Sequence, residues 1–396
     1  MLYCFQLKER IIAMKKIILA TISVCILFSL CSCSSYAAVK SDTFENIAGY
    51  QWKNVKNFSE GLAAVKKDKL WGFINTSGEL IIDYTYDSVV RFSEGLCAVQ
   101  KDGKWGFINN KGEMVINNQY SLASIFSEGF AAVKQGNYYA YINNKGIAIT
   151  GFDYTEALEF SEGIAAVKKD GSYGYVDTTG KMVIENKWSE GQLFSEGLVE
   201  VFSPDTNHLS GFMDASGNLV INTKFSDALA FSEGYAAVRI SDSENNLYWG
   251  FCDKTGKVVI DTVYGEAYSF SEGLAVVGKI IASEKSLYGY VKPDGTLLVD
   301  MMYNYAYALT EGRGRVASDG LWGFIDSKGN KVIPLEYEAA NDFSENFAAV
   351  KKNGKWGLID KSGNVVLPME FDEIGNVSDS CAYIKSNDKY SFVKVK

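Results

Sequence analysis

The stretch Phe92-Ser93-Glu94-Gly95-Leu96-Cys97-Ala98-Val99-Gln100-Lys101-Asp102-Gly103-Lys104-Trp105-Gly106-Phe107-Ile108 decides the fold, because it is one copy of ten. Its opening word, Phe-Ser-Glu-Gly or a close variant, starts at Phe58, Phe92, Phe126, Phe160, Phe194, Phe231, Phe270, Leu309, Phe343 and Val377. The first five copies lie 34 residues apart; the next three spacings are 37, 39 and 39, and the last two return to 34. A fixed period of this size marks one small supersecondary unit, copied and stacked on itself. Like residues then recur in rows. A catalytic site needs unlike residues to converge, so the repeat points away from an enzyme.

Working outward from Phe92, each unit reads as three β-rich runs separated by two Gly-containing turns, a β-meander. The second turn begins with Asn or Asp and ends with Gly, as at Asn109/Gly112 and Asp360/Gly363. The Asx side chain can accept backbone N–H bonds ahead of it, and Gly accepts positive φ. The second run carries Trp-Gly-Phe or a relative, with Trp105 and Phe107 on one face and Gly106 on the other. A bare Gly face lets something lie close against the backbone. A further aromatic column runs from Trp52 and Tyr86 to Tyr337 and Phe371, and Tyr120 is expected in a loop. Three aromatic anchors per unit bury more area than one unit can hide alone.

Such units stack face to face around an axis, so the fold class is all-β: ten tandem β-meander repeats in a β-propeller-like array. An open β-solenoid or superhelical array is the alternative. The ends bear on closure: unit 10 stops after its second run, while Glu45 to Asn57 supply the third run and aromatic loop of a preceding unit. In closed propellers such a split joins the first blade to the last. One ring of ten and two rings of five both satisfy the count.

The pattern Phe-Ser-Glu-Gly-Leu-Ala-Ala-Val-x-x-x-Gly-Lys-Trp-Gly-Phe-Ile-Asx-x-x-Gly resembles the WG-repeat (WG beta repeat, KWG-like) family of bacterial proteins, over residues 44–396. The resemblance implies an all-β repeat protein, often exported or surface-attached, with binding roles and no shared catalytic residues.

The N-terminal segment reads as targeting sequence. Lys15 and Lys16 precede the apolar run Ile17 to Leu30, too short for a comfortable membrane span. Leu30-Cys31-Ser32-Cys33 then resembles the lipobox of bacterial lipoproteins, with Cys33 as the lipidated residue. An ordinary secretory signal cut near Ala37-Ala38 is the rival reading. Met14 opens a normal signal, so residues 1–13 read as an upstream extension, 1–33 as signal and 34–43 as linker. The formal charge is −9; residues 1–32 carry four cations and one anion, leaving −12 from Cys33 onward. That excludes a nucleic-acid binder, which needs a basic surface. Cys97, Cys252 and Cys381 each replace an apolar residue of the repeat, far apart in sequence, and read as small buried hydrophobes.

Chemistry is sparse. His208 is the sole histidine and sits in a loop, which removes histidine triads and zinc-protease motifs. Asp253-Lys254-Thr255-Gly256 spells a P-type ATPase phosphorylation motif, but in register with the other Asx-x-x-Gly turns. The Glu of Ser-Glu-Gly forms a row of carboxylates, read as acceptors of N–H bonds at their turns rather than as calcium ligands. No catalytic residue, cofactor site or metal site is assigned.

Two departures from the pattern are candidate sites. Units 5, 6 and 7 lengthen the loop between the first and second runs, forming a candidate binding rim of Asp205, Asn207, His208, Glu244, Asn245, Asn246, Glu284 and Lys285. Drift in tolerant loops would look the same. Arg313 and Arg315 replace Leu and Ala of the repeat and form a candidate anion site, unless their column faces water there. Glu200 and Tyr383 break the Ala column too.

The expected function is a non-enzymatic, lipid-anchored, extracytoplasmic binding scaffold for a protein or a cell-envelope polysaccharide. A glycan-binding module is the alternative, and exposed Tyr or Trp would favour it. The protein is expected to be a monomer that touches the membrane only through its lipid, at the cell surface or in the periplasm. Replacing Cys33 with Ala should release the protein from the membrane fraction. A Cys33→Ala protein that stays with the membrane, or a mature N-terminus elsewhere by mass spectrometry, would refute lipidation at Cys33.

Overall fold

The computed structural model describes residues 43–202, 208–282 and 285–396. The proposed signal segment and Cys33 lie outside these residues. Ten small antiparallel sheets follow one another along the chain, one per repeat. Blade 1 is built from Asn54–Ser59, Leu62–Lys67, Leu70–Asn75 and Leu80–Tyr86, hydrogen-bonded in that order. The unit thus has four strands, one more than the pattern predicts. The extra strand precedes and includes the Phe-Ser-Glu-Gly word. It escapes sequence reading because, ahead of the word, only one apolar residue recurs, as Val89, Ala123 and Ala267, and because a bulge separates it from the Phe. In blade 2, Val89 pairs with Val99 but Phe92 with Cys97, so one residue is extra. In blade 7 the same offset lies between the Ala267–Val277 and Ser271–Leu274 pairs.

The ring closes, as one ring of ten. Phe44–Asn46 pairs with Lys389–Val395 and becomes the fourth strand of blade 10. Edge-to-face contacts between the third-position aromatic of one blade and the Phe word of the next run around the core, from Phe73–Phe92 at 5.2 Å to Phe324–Phe343 at 4.9 Å. The last of them, Phe392–Phe58 at 5.2 Å, crosses the closure. The open-array and two-ring alternatives are excluded by these pairings and by the unbroken bonds between blades 5 and 6.

Two rows of side chains lock each blade to the next. The Ser hydroxyl of nine words donates to the carbonyl of the next word's first residue, at 2.7–2.9 Å, from Ser59 to Phe92 and round to Ser378 with Phe58. The carboxylate beside it accepts a backbone N–H of the next blade's turn at 2.6–3.0 Å, in all ten words, ending with Asp379 and Gly61. The sequence reading placed these bonds within each turn; the longer Glu arm instead spans the gap between blades. Because these bonds join first strand to first strand, the first strands form the inner wall of the ring.

The Asx turns behave as their chemistry requires. Asn109 Oδ1 accepts the N–H groups of Lys111 and Glu113, both at 3.0 Å, and Gly112 has φ of 81°. The Gly of Trp-Gly has a different cause. The fourth strand carries two extra residues: Phe107 pairs with Ile116, but Trp105 pairs with Tyr120. Tyr120 is therefore in a strand, Met114–Tyr120, not a loop. The bulge lies against Gly106, so a Cβ there would meet the Ile116 carbonyl at 2.4 Å and the Asn118 N at 2.7 Å. Ala140 and Ser391 replace this Gly in blades 3 and 10. Those are the blades whose outer strand is reduced to isolated bridges or supplied by the chain's other end. Gly106→Ala should therefore lower stability by about 2 kcal/mol or more, read as an earlier melting transition. Ala140→Gly, beside an outer segment held only by isolated bridges that already admits a Cβ, should cost at most about 1 kcal/mol. Equal effects at the two positions would refute this account of the glycine.

Candidate functional site

Around most of the ring, one blade's chemistry repeats the last. The three free cysteines are buried, and burial pushes their thiols up to about 12. Among the described residues no group of three or more His, Cys, Asp or Glu is arranged to hold a metal ion. The first-position aromatics divide, with Trp71 and Tyr173 buried in the core. Trp105, Trp249, Tyr288 and Trp322 are only half-buried. Cations of the second strand cover several of them, Lys134 at 4.8 Å over Tyr139 and Lys168 at 5.0 Å over Tyr173. This end of the strand lies beside the hairpin that joins strands two and three, where the blade meets solvent.

The lengthened hairpins of blades 6 and 7 sit at that same end, and strand Leu198–Phe202 of blade 5 ends there. In blade 6 the insert folds on itself: Asp242 Oδ1 accepts the N–H groups of Glu244 and Asn246, and Glu244, Asn245 and Asn246 are exposed. His208 is exposed with φ of 60°. Asp205, Asn207 and Glu284, and the side chain of Lys285, lie outside the described residues. In blade 7 the extra length continues as strands, Ala275–Ala282 and Lys285–Val291.

Beside that hairpin lies an open cleft between blades 7 and 8, about 640 Å³ in volume. Glu266, Ile280, Ile281, Ser286 and Tyr288 line it from blade 7, and Asn304, Tyr305 and Gly320 from blade 8. A second cavity of about 260 Å³ adjoins it, shares Tyr288 and Tyr305, and adds Tyr268 and Tyr307. The exposures are unusual for rings of this size: Tyr268 46%, Tyr305 55% and Tyr307 41%. Tyr268 and Tyr307 occupy the first-strand bulge, a device that re-aims side chains. Glu266 accepts the hydroxyls of Ser286 at 2.6 Å, Tyr288 at 2.8 Å and Tyr268 at 3.2 Å. Burial, then the Glu266 bond, raise the Tyr288 hydroxyl pKa well above its ordinary range. Tyr305 stacks on Trp322 at 5.7 Å, and Arg315 lies 4.0 Å over Tyr307 and 5.0 Å over Trp322. Sequence reasoning missed this cleft. The signal was there: only units 7 and 8 carry an aromatic two or four residues before the Phe word.

The two arginines are bound to blade 9. Arg313 donates to the Lys361 carbonyl at 2.9 Å from Nη2, and Arg315 Nε to Asp342 at 2.9 Å, while its Nη1 reaches the Ala340 carbonyl. Their placement ties blades together and leaves no open pair of guanidiniums. Nearby, Thr310 replaces the Ser of the word, and its buried Oγ1 has no partner. In blade 5, Glu200 is buried beside Ser210, which replaces the usual Trp or Tyr, and Glu200 Oε1 has no partner. Burial, with Asp227 and Glu190 adding repulsion, pushes its carboxyl up to about 8.

The family described as "WG containing repeat" matches residues 42–71, 71–105, 105–139, 139–173, 173–202, 211–242, 249–279, 288–322, 322–356 and 356–390. No curated protein matches the chain. Solved structures similar to it include Kluyveromyces lactis Hsv2, 13% identical, covering 72% of this chain and 99% of that one, with a TM-score of 0.32. Apo AztD from Citrobacter koseri is 15% identical, covering 75% and 87%, with a TM-score of 0.30. The extracellular domain of BT3049 from B. thetaiotaomicron is 10% identical, covering 84% and 55%, with a TM-score of 0.24. Superpositions this loose carry no argument about ligands.

Glu200 makes stability depend on pH. Its folded pKa of about 8 stands above the ordinary value of 4.5, so the folded chain keeps a proton that the unfolded chain releases. The stability tied to that proton is complete below the unfolded value and is lost as pH rises to about 8. Glu200→Gln should melt at a higher temperature than wild type near pH 8, with little difference at acid pH. Parallel melting curves for the two proteins across this window would show that Glu200 is ionised or solvated in the fold.

Proposed function

Because the chain belongs to the WG-repeat family and closes as a ten-blade ring, we propose that it is a non-enzymatic binding scaffold. It is exported, held to a membrane by lipid at Cys33, and binds a protein or a cell-envelope polymer as a monomer. One observation carries the reading: the carboxylate lock repeats in all ten words, while the lengthened hairpins and the cleft fall in consecutive blades. The lengthened hairpins of blades 6 and 7 and the cleft between blades 7 and 8 share one end of the ring. A closed ring of interlocked blades offers fixed surfaces, and loops at one end of such a ring are where binding residues concentrate. The negative charge disfavours polyanions as partners.

The test uses the full-length protein, immobilised and exposed to envelope extracts separated into protein and polysaccharide fractions. A second protein has the hairpins of blades 6 and 7 trimmed to the length found in blade 2. Trimming should leave the melting temperature nearly unchanged, because loop length affects stability slowly, and should sharply reduce retention of the partner. Retention of the same partner at full strength by the trimmed protein would remove the rim from the binding surface.

A further inference from the structure

We propose that the cleft between blades 7 and 8 is a subsite for a neutral oligosaccharide, with Tyr268 and Tyr305 as stacking platforms and Glu266 and Asn304 as hydroxyl partners. The inference rests on the binding role proposed above and narrows it to one ligand class.

A sugar ring offers an apolar C–H face and a rim of hydroxyls. Its site needs exposed aromatic faces next to groups that accept and donate hydrogen bonds. A contiguous patch of exposed aromatic rings beside a concave surface, unlike a single exposed ring, marks a ligand-binding groove. Tyr268, Tyr305 and Tyr307 are so exposed, and they lie on the inner strands of two adjacent blades, in positions where no other blade has an aromatic. The volume suits a short oligosaccharide, since ligand pockets commonly span about 300–1,000 Å³.

The polar side fits as well. Glu266 already accepts three hydroxyls, the kind of donor a sugar presents, and the Tyr268 bond at 3.2 Å is the longest. An ionised carboxylate has about four acceptor sites, so a ligand hydroxyl can take the open one or displace Tyr268. Asn304 uses Oδ1 to accept the Asp319 N–H at 2.9 Å, which fixes its amide at the mouth of the cleft.

Other ligand classes fit less well. A quaternary ammonium group needs open aromatic faces around one point, but Arg315 already lies over Tyr307 and Trp322. Glu266 is the sole charged residue among the described lining residues; its charge repels an anion, Arg315 behind Tyr307 is already paired with Asp342, and one carboxylate is a poor metal site. A wholly apolar ligand would leave Glu266, Ser286 and Asn304 facing it.

Full-length protein in detergent is titrated calorimetrically with neutral tetrasaccharides: β-1,4-glucan, β-1,3-glucan, β-1,4-mannan, α-1,4-glucan and β-1,4-linked N-acetylglucosamine, and with choline chloride. At least one sugar should bind with a submillimolar Kd. Tyr268→Ala and Tyr305→Ala should each weaken it roughly tenfold or more, with melting temperatures close to wild type. Tyr305→Phe keeps the ring face and should bind nearly as wild type. Silence from every tetrasaccharide, binding indifferent to both alanine changes, or choline binding more tightly than any sugar would each overturn the assignment. Silence here, with an envelope partner still retained and lost on hairpin trimming, leaves the scaffold reading standing without the sugar. Silence in both experiments ends both.

Discussion

The carboxylate that reaches from one turn into the next holds the rest of this structure in place. In each Ser-Glu-Gly word, Glu and Gly both take positive φ, as Glu60 at 54° and Gly61 at 80° do. This is the two-residue hairpin geometry that Asn-Gly favours and that costs a longer side chain about 1 kcal/mol or more. Glu stands there in nine words because Asn could cap only its own neighbourhood. The longer arm delivers a charged acceptor to the next blade's N–H groups, and charge-assisted bonds of this kind are stronger than neutral ones. Local strain is offset by a bond between blades. In unit 10, where Asp379 stands in for Glu, the ring still closes through a 2.8 Å bond to Gly61.

That device explains which parts of the fold were legible. The repeat, the Asx turns and the split ends are local or periodic, so the sequence shows them directly. The first strand is only weakly periodic: an apolar residue three before the word recurs, Val89, Ala123 and Ala267 among them, but the bulge after it carries Val90 and Arg91 in one blade and Tyr268 and Ser269 in another. One recurring residue followed by variable ones does not show the alternation by which a strand is read. The single ring was not legible for a related reason. Every blade-to-blade contact looks the same in sequence, whether it joins blade 5 to blade 6 or blade 5 back to blade 1. The choice depends on the small rotation between stacked sheets, which accumulates over the array.

The candidate site was only half legible. Insertions in units 5 to 7 stand out by length, and the hairpin of unit 7 lies beside the cleft. They did not point to its walls. Those come from substitutions of unchanged length, Tyr268, Tyr305 and Tyr307, in a strand that the pattern did not reveal. The aromatic columns also misled. Their third-position members are core, and Phe107 and Tyr290 are fully buried. Their first-position members sit at the hairpin end of the blade, where cations cap them and the outermost ones meet the cleft.

Uniformity and exception have the same origin. A ring locked by a carboxylate bond at all ten junctions and a Ser bond at nine tolerates local faults, because each junction is one of ten. Blade 8 collects several: Leu309 for Phe, the unpartnered Thr310, and Arg313 and Arg315 in apolar columns. The arginines supply replacement bonds to blade 9, and Gly314 makes room for the Tyr290 hydroxyl, which donates to the Tyr307 carbonyl at 2.7 Å. That bond fixes the strand on which Tyr305 and Tyr307 are displayed. The changes that weaken the repeat at blade 8 are therefore the ones that hold its tyrosines in the open. A scaffold that spreads its stability over ten junctions can give up part of one to build a surface unlike the rest of the ring.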